Sequence, residues 1–353
     1  MKQPLYIKAA VAISPQESFE DSKFLKPIIT SNNGKLFAID AAYQQYISPV
    51  AIRRMSRIMK MTISCAMEAL KRATVATPDA IITGTGRGGV TDMEHFVKDM
   101  IRLEEGAMNP TAFIQSTYNS PNGWIAMQSK CTGYNQTYVH RGSSFELALQ
   151  DAQMLAAETK NPINILVGCF DELTEDYYHI RRKRGYWKNP AVASDQLYKH
   201  PELKGTIAGE GTTFFVLSNQ KEGTFCEISN LKIVYRATAE IIANALQELL
   251  SEENLRVEDI DIALVGENGD STQALLYEGV SATLEGVPTL RFKHLCGEFD
   301  TASGFATWYA AYLLAEEKSP ALRRRNLVLI NHYILGSASL IFLKKTSFLE
   351  ATF

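Results

Sequence analysis

Short apolar runs alternate with amphipathic stretches along the whole chain. In the first part, the runs Leu5–Ile13, Ala80–Thr83, Gln136–Val139, Ile163–Val167 and Thr213–Leu217 predict strands, with helices between them at 51–73, 91–105, 120–130 and 143–159. The second part repeats the alternation: a run at 226–235, a helix at 238–252, Ile260–Val265, helices at 272–284 and 302–317, and closing runs at 326–331 and 338–343. This order predicts layered α/β architecture. Two successive βαβαβ-like halves, 1–222 and 223–353, predict one compact double-lobed unit, the duplication lying in element order and not in residue identity. The segment 176–208 interrupts the alternation with charges, aromatics and prolines, and predicts a long surface excursion.

Composition narrows the function classes. The 353 residues carry 36 Lys+Arg against 39 Asp+Glu, a net charge of −3, which lacks the basic surplus of a nucleic-acid binder. With 46% hydrophobic residues the chain can build a sizeable core and lacks the signature of disorder. The opening residues hold no signal-peptide apolar run, and no later segment offers about 18 uncharged apolar residues. The expectation is a cytoplasmic protein without membrane contact. Cys65, Cys131, Cys169, Cys226 and Cys296 are odd in number and form no CxxC pair. They read as reduced thiols, with no disulfide and no structural metal.

Five local patterns are candidates for chemistry. Gly84-Thr85-Gly86-Arg87-Gly88-Gly89 formally matches GxGxxG, but no acidic residue ends a strand about 20 residues later to hold a ribose. A tight turn with close backbone packing is the plainer reading. His140-Arg141-Gly142-Ser143-Ser144 lies at a strand-to-helix junction, where Ser143 either caps the helix or serves as a nucleophile with His140 as base. Arg181, Arg182, Lys183 and Arg184, with Lys188 and the flanking Tyr177, Tyr178, Tyr186 and Trp187, form either a solvated face or a dock for an acidic partner or phosphate. The triplet Arg323-Arg324-Arg325 reads as charge compensation at a helix C-terminus. Ala302-Ser303-Gly304, followed by Phe305 and Trp308, reads as close helix packing, so no cofactor is implied.

In order and spacing, the chain resembles the β-ketoacyl synthases of the thiolase superfamily. Arg53-Arg54-Met55-Ser56-Arg57 with Glu68-Ala69-Leu70 is similar to the family's RRMDR…EAL helix, and Gly84–Gly89 to its GxGxGG turn. The stretch from Asn109-Pro110 through Asn122 to Ala126 is similar to NPxxxP…NxxAGxIA. Gly168-Cys169-Phe170-Asp171-Glu172 resembles the GGxE strand end, and Gly209-Glu210-Gly211 the GEGAG turn. The resemblance implies a five-layered αβαβα thiolase fold, a dimer formed mainly through the strand leading to the active site, and an acyl chain in a buried tunnel. It also implies an acyl carrier protein as a partner. Family members use a Cys nucleophile and two His residues to condense acyl and malonyl thioesters.

At the motifs that carry this chemistry the sequence departs from the family. TACSSS falls on Val139–Ser144, placing Arg141 at the nucleophile; AHGTGT falls on Glu267–Thr272, placing Asn268 at the first His. KSxxGHxxGAAG falls on Lys293–Gly304, placing Glu298 at the second His and retaining Lys293, while the GFGGxN loop becomes His332–Ser337. Arginine cannot become a nucleophile and ionised glutamate has no proton to donate. Catalytic residues of the family type are therefore not expected. The facing positions predict a buried ion pair between Arg141 and Glu298, with Asn268 completing its hydrogen bonds. The expected role is a non-catalytic homologue, similar to chain-length factors, that pairs with an active ketosynthase or with itself. Two alternatives are an acyltransferase or thioester hydrolase with relocated chemistry, on Ser143 or Cys296 with His140 or His294 as base, and a binding module for acyl carrier protein docking on Arg181–Arg184.

Overall fold

The computed structural model describes residues 3–20, 25, 27–106, 108, 110–316 and 324–346. Asn109 and Arg323 of the sequence motifs lie outside them. The first half runs β1 (Leu5–Ile13), β2 (Lys35–Leu36), α1 (Pro49–Ile52), α2 (Arg57–Arg72), β3 (Ala80–Gly84), α3 (Val90–Arg102), α4 (Pro110–Ser116), α5 (Ser120–Ser129), β4 (Tyr134–Tyr138), α6 (Ser144–Glu158), β5 (Asn164–Asp171), α7 (Glu175–Lys183), β6 (Ala208–Gly209) and β7 (Gly211–Ser218). The second runs β8 (Cys226–Tyr235), α8 (Ala239–Glu252), β9 (Ile262–Val265), α9 (Ala274–Thr283), β10 (Thr289–Arg291), α10 (Lys293–Cys296), α11 (Ala302–Ala315), β11 (Asn326–His332) and β12 (Ser337–Lys345).

Ten strands form one hydrogen-bonded ladder in the order β10-β9-β11-β12-β8-β1-β7-β5-β3-β4. The two halves join where β1 pairs antiparallel with β8, Leu5 opposite Ile228. Strands β3, β5 and β7 are buried along nearly their whole length, as continuous apolar runs covered on both faces must be. The core divides accordingly. Met59, Ile63 and Ala66 of α2 pack with Val11, Leu166 and Phe214 on one outer face. Leu246 and Leu249 of α8 pack with Ala263, Val328 and Leu340 on the other. Between the two halves, Phe145 and Leu149 of α6 and Phe305 and Trp308 of α11 join residues of both sets of strands. Helix, sheet, helix, sheet, helix is the layering of the thiolase fold.

The structure corrects the sequence expectation in three places. The helix expected over 51–73 is broken into α1 and α2 at Arg53–Ser56. Strand β10, three exposed residues, and helix α4 had no apolar run to reveal them. The surface excursion at 176–208 keeps many exposed residues but is anchored: Tyr178, Arg181, Trp187, Lys188, Leu197 and Ile207 are buried. Lys188, 2% exposed, donates to the carbonyls of His200, Leu203 and Gly269, so it staples the segment instead of docking a partner.

Candidate functional site

The junction between β4 and α6 sets the geometry of the site. Arg141 follows the strand with φ +53°, a left-handed conformation costly for a residue bearing a Cβ. The hydroxyl of Ser144 fixes this turn: it accepts from the His140 N–H at 2.7 Å and lies 2.9 Å from the Thr85 carbonyl and 2.8 Å from that of Arg141. Ser143 makes no side-chain cap hydrogen bond, so the helix-capping reading of it does not hold. The close packing read into the glycine motif is present: a Cβ on Gly84 would lie 2.4 Å from the Ser144 carbonyl, and one on Gly86 2.1 Å from Cβ of Asp300.

The ion pair expected between Arg141 and Glu298 does not form. The Arg141 side chain is exposed, and Glu298 instead accepts from Lys293, with Oε1 3.0 Å from Nζ and both side chains essentially inaccessible. Lysine is the nearer cation because α10 is a single turn that brings position 293 back over 298, whereas Arg141 is held outward by its turn. Burial pushes the Glu298 carboxyl up, with Lys293 opposing, and its Oε2 has no hydrogen-bond partner. Asn268 is fully buried; it accepts from the Asp270 N–H and donates to Gln273 Oε1 at 3.2 Å. Gln273 Oε1 also lies 3.1 Å from Nδ1 of His332, whose pKa burial depresses to about 4, leaving a neutral ring.

A second buried cluster lies against the glycine turn at Thr85–Arg87. Asp171 accepts from the Gly86 and Arg87 N–H groups and Thr85 Oγ1 on one oxygen, and from the Thr301 N–H and Oγ1 on the other. Burial, followed by the Asp300 charge, still raises it to about 7. Asp300 accepts from Arg87 Nε at 2.9 Å and from the Tyr333 hydroxyl. The Tyr333 ring in turn leans on Gly142, where a Cβ would come within 2.2 Å of the ring. Arg87, Asp300 and Tyr333 were not singled out as functional in the sequence. Their signal was position alone: each lies within a stretch that resembles a family motif.

Neither relocated nucleophile meets its base. Ser143 is buried and no hydrogen bond joins its hydroxyl to His140, whose ring packs edge-on to Tyr235. Cys296 is inaccessible, its thiol pushed up to about 12 by burial and directed at the Gly297 carbonyl. His294 packs against Tyr198 with Nδ1 unpartnered, and burial and then Arg291 lower its pKa. A thiol in that state is a poor nucleophile at neutral pH. Among the described residues no group of three His, Cys, Asp or Glu side chains could hold a metal, and no helix is long and apolar enough to cross a membrane.

The basic segment divides. Arg181 is 7% exposed, its guanidinium 5.2 Å from the Tyr177 ring and 4.3 Å from that of Tyr186. Arg182, Lys183 and Arg184 remain exposed at the end of α7, Arg182 reaching Asn189 at 3.3 Å.

The family is decided by a model of the β-ketoacyl synthase N-terminal domain, which matches residues 31–222, more than half of the chain. The chain belongs to the β-ketoacyl synthase family. Two family motifs thereby gain a structural account: Arg57 reaches Glu210 at 2.5 Å, and the Glu172 carboxylate accepts from the Thr91 N–H and hydroxyl. Solved structures of β-ketoacyl synthase relatives have the same fold at low identity. The ishigamide ketosynthase/chain length factor superposes with TM-score 0.79 at 15% identity, covering 98% of this chain and 99% of that one. A chain of the ketosynthase ApeO in complex with its chain length factor ApeC from Xenorhabdus doucetiae gives 0.74 at 14%, covering 97% and 98%. A chain of AntDE:AntF, a type II polyketide synthase acyl-carrier protein in complex with its ketosynthase, gives 0.75 at 14%, covering 98% and 99%. No characterised protein matches this β-ketoacyl synthase homologue by sequence.

Proposed function

We propose that this chain is a non-catalytic member of the family, chain-length-factor-like, that pairs with an active ketosynthase and works alongside an acyl carrier protein. The observation that carries the reading is Arg141: the nucleophile position keeps its strained turn at the start of α6, yet bears a group that cannot accept an acyl chain. The two His positions are equally committed, Asn268 to the Asp270 amide and Gln273, and Glu298 to Lys293. Both side chains are buried, and neither is an imidazole.

Pairing is supported by the edge of the sheet. Strand β4 ends the ladder with Tyr134, Asn135 and Gln136 exposed. Around it Met127, Tyr134, Val139 and Met154 are each more than 40% exposed, an apolar surface adjoining the outer edge of the sheet. The relatives of the same fold include chains described as ketosynthase and chain length factor together. The exposed Arg182, Lys183 and Arg184 are the proposed landing point for an acidic carrier protein.

Native mass spectrometry after co-expression with the cognate ketosynthase tests the pairing. The reading predicts a one-to-one heterodimer; two separate homodimers overturn it.

A further inference from the structure

Arg141 opens onto a cavity of about 870 Å³ between α3 and α7. Its lining holds Arg87, Lys98, Arg141, Arg181, Lys183 and Arg184 against only two carboxylates, Glu94 and Asp176. Lys98 is paired with Asp176 at 2.5 Å and Arg87 with Asp300 at 2.9 Å. Among the described residues, Arg141, Arg181, Lys183 and Arg184 have no carboxylate within ion-pair distance. Asp176 is already taken by Lys98, and Glu94 already accepts from the Thr174 hydroxyl.

Of these four cations Arg181 is buried and needs an explanation, because the other buried cations, Lys293 and Lys188, are compensated. Lys293 has Glu298, Lys188 has three carbonyls, and Arg57 has Glu210 and Asp40. The end of α7 accounts for the exposed Lys183 and Arg184, since cations are favoured at a helix C-terminus. It does not account for Arg181, which is buried, faces the cavity and is cushioned only by the rings of Tyr177 and Tyr186. Nor does it account for Arg141, where the start of α6 adds the positive end of its own dipole. One wall of the cavity is apolar, formed by Val90, Met93, Val97, Ile180 and Leu335.

We infer that this cavity binds an amphiphilic anion, with its carboxylate or phosphate head held between Arg141 and Arg181 and its apolar chain along the α3 wall. Guanidinium forks match both oxyanions and form charge-assisted hydrogen bonds with them. Position 141 thereby becomes a receptor for a charged head in place of an acceptor for an acyl group. The inference rests on Arg141 having ceased to be an acyl acceptor, and it concerns the chain by itself, independent of pairing or carrier docking.

Titration calorimetry of the full chain with octanoate, octyl phosphate and octanol, at low and high salt, tests it. Binding of either anion, weakened by salt and absent for octanol, is the expected result, and the anion that binds better identifies the head. Arg141→Met keeps the backbone burden of the position and removes an exposed side chain with no partner. It is expected to weaken anion binding at least about tenfold with an unchanged melting temperature. Arg184→Met serves as a second variant that spares the buried Arg181, with a smaller loss expected. The inference is overturned if octanol binds as well as the anions, if neither anion binds, or if Arg141→Met binds like the unaltered chain. An acyl adduct found on the chain would overturn the non-catalytic reading while leaving this titration interpretable, so the two failures are distinguishable.

Discussion

At the scale of single residues, the centre around Asn268, Lys293 and Glu298 is held by burial and pairing. Replacing Lys293 with Met leaves the Glu298 carboxyl buried without its cation, and the expected loss of stability is about 3–5 kcal/mol in denaturant unfolding. Because protonation neutralises the stranded carboxylate, the loss should be larger at pH 8 than at pH 5, and Lys293→Met with Glu298→Leu should recover most of it. Glu172 gives a second readout. Burial raises its carboxyl to about 7 in the fold, above its unfolded value of about 4.3. The folded state therefore binds the proton more tightly, and the stabilisation is fully present below the unfolded pKa and lost as pH rises through about 7. Glu172→Gln keeps the acceptor for the Thr91 amide and removes the titration. Between pH 4.5 and 8 the unaltered protein is expected to lose on the order of 1–3 kcal/mol relative to this variant, as read by unfolding at each pH. Comparing the two at each pH cancels the opposite trend from His332, which loses stability as pH falls from about 6.5 toward 4.

At the scale of elements, the turn from β4 into α6 is the point where sequence change should be least tolerated. Gly142→Ala drives a methyl into the buried Tyr333 ring and is expected to cost about 1–3 kcal/mol, with Tyr333→Ala on the same chain relieving the clash. Apolar runs made the long strands and helices legible before any coordinates, since fully buried β5 and β7 read as continuous apolar runs and α8, buried on one side, carries the helical period. The break at Arg53–Ser56 was not legible, because no Gly or Pro marks it; its consequence is that Arg57 starts a new helix, bridging Asp40 and Glu210. The 176–208 segment misled for a different reason. Its charges looked solvated, but Arg181 is covered by aromatic faces and Lys188 by carbonyls, contacts set by tertiary approach and not by local pattern. The same limit applied to the site: motif order located Arg141, Asn268 and Glu298, whereas the choice of Lys293 over Arg141 as the partner of Glu298 depended on which side chain the turn directs inward.

For the whole molecule, the proposed reading is a thiolase fold whose centre does not present Cys-His-His. Pairing through the exposed edge predicts that Met127→Glu with Val139→Glu abolishes heterodimer formation in native mass spectrometry while leaving the melting temperature unchanged, since both side chains are exposed in the isolated chain. The central claim is that no residue of this chain accepts an acyl group. It is tested most directly by intact-protein mass spectrometry after incubation with acyl and malonyl thioesters, on coenzyme A and on a carrier protein, beside a control ketosynthase that loads. The account predicts an unmodified mass for this chain while the control gains its acyl group. A stable adduct mapped to Ser143, Cys296 or any other residue would contradict it.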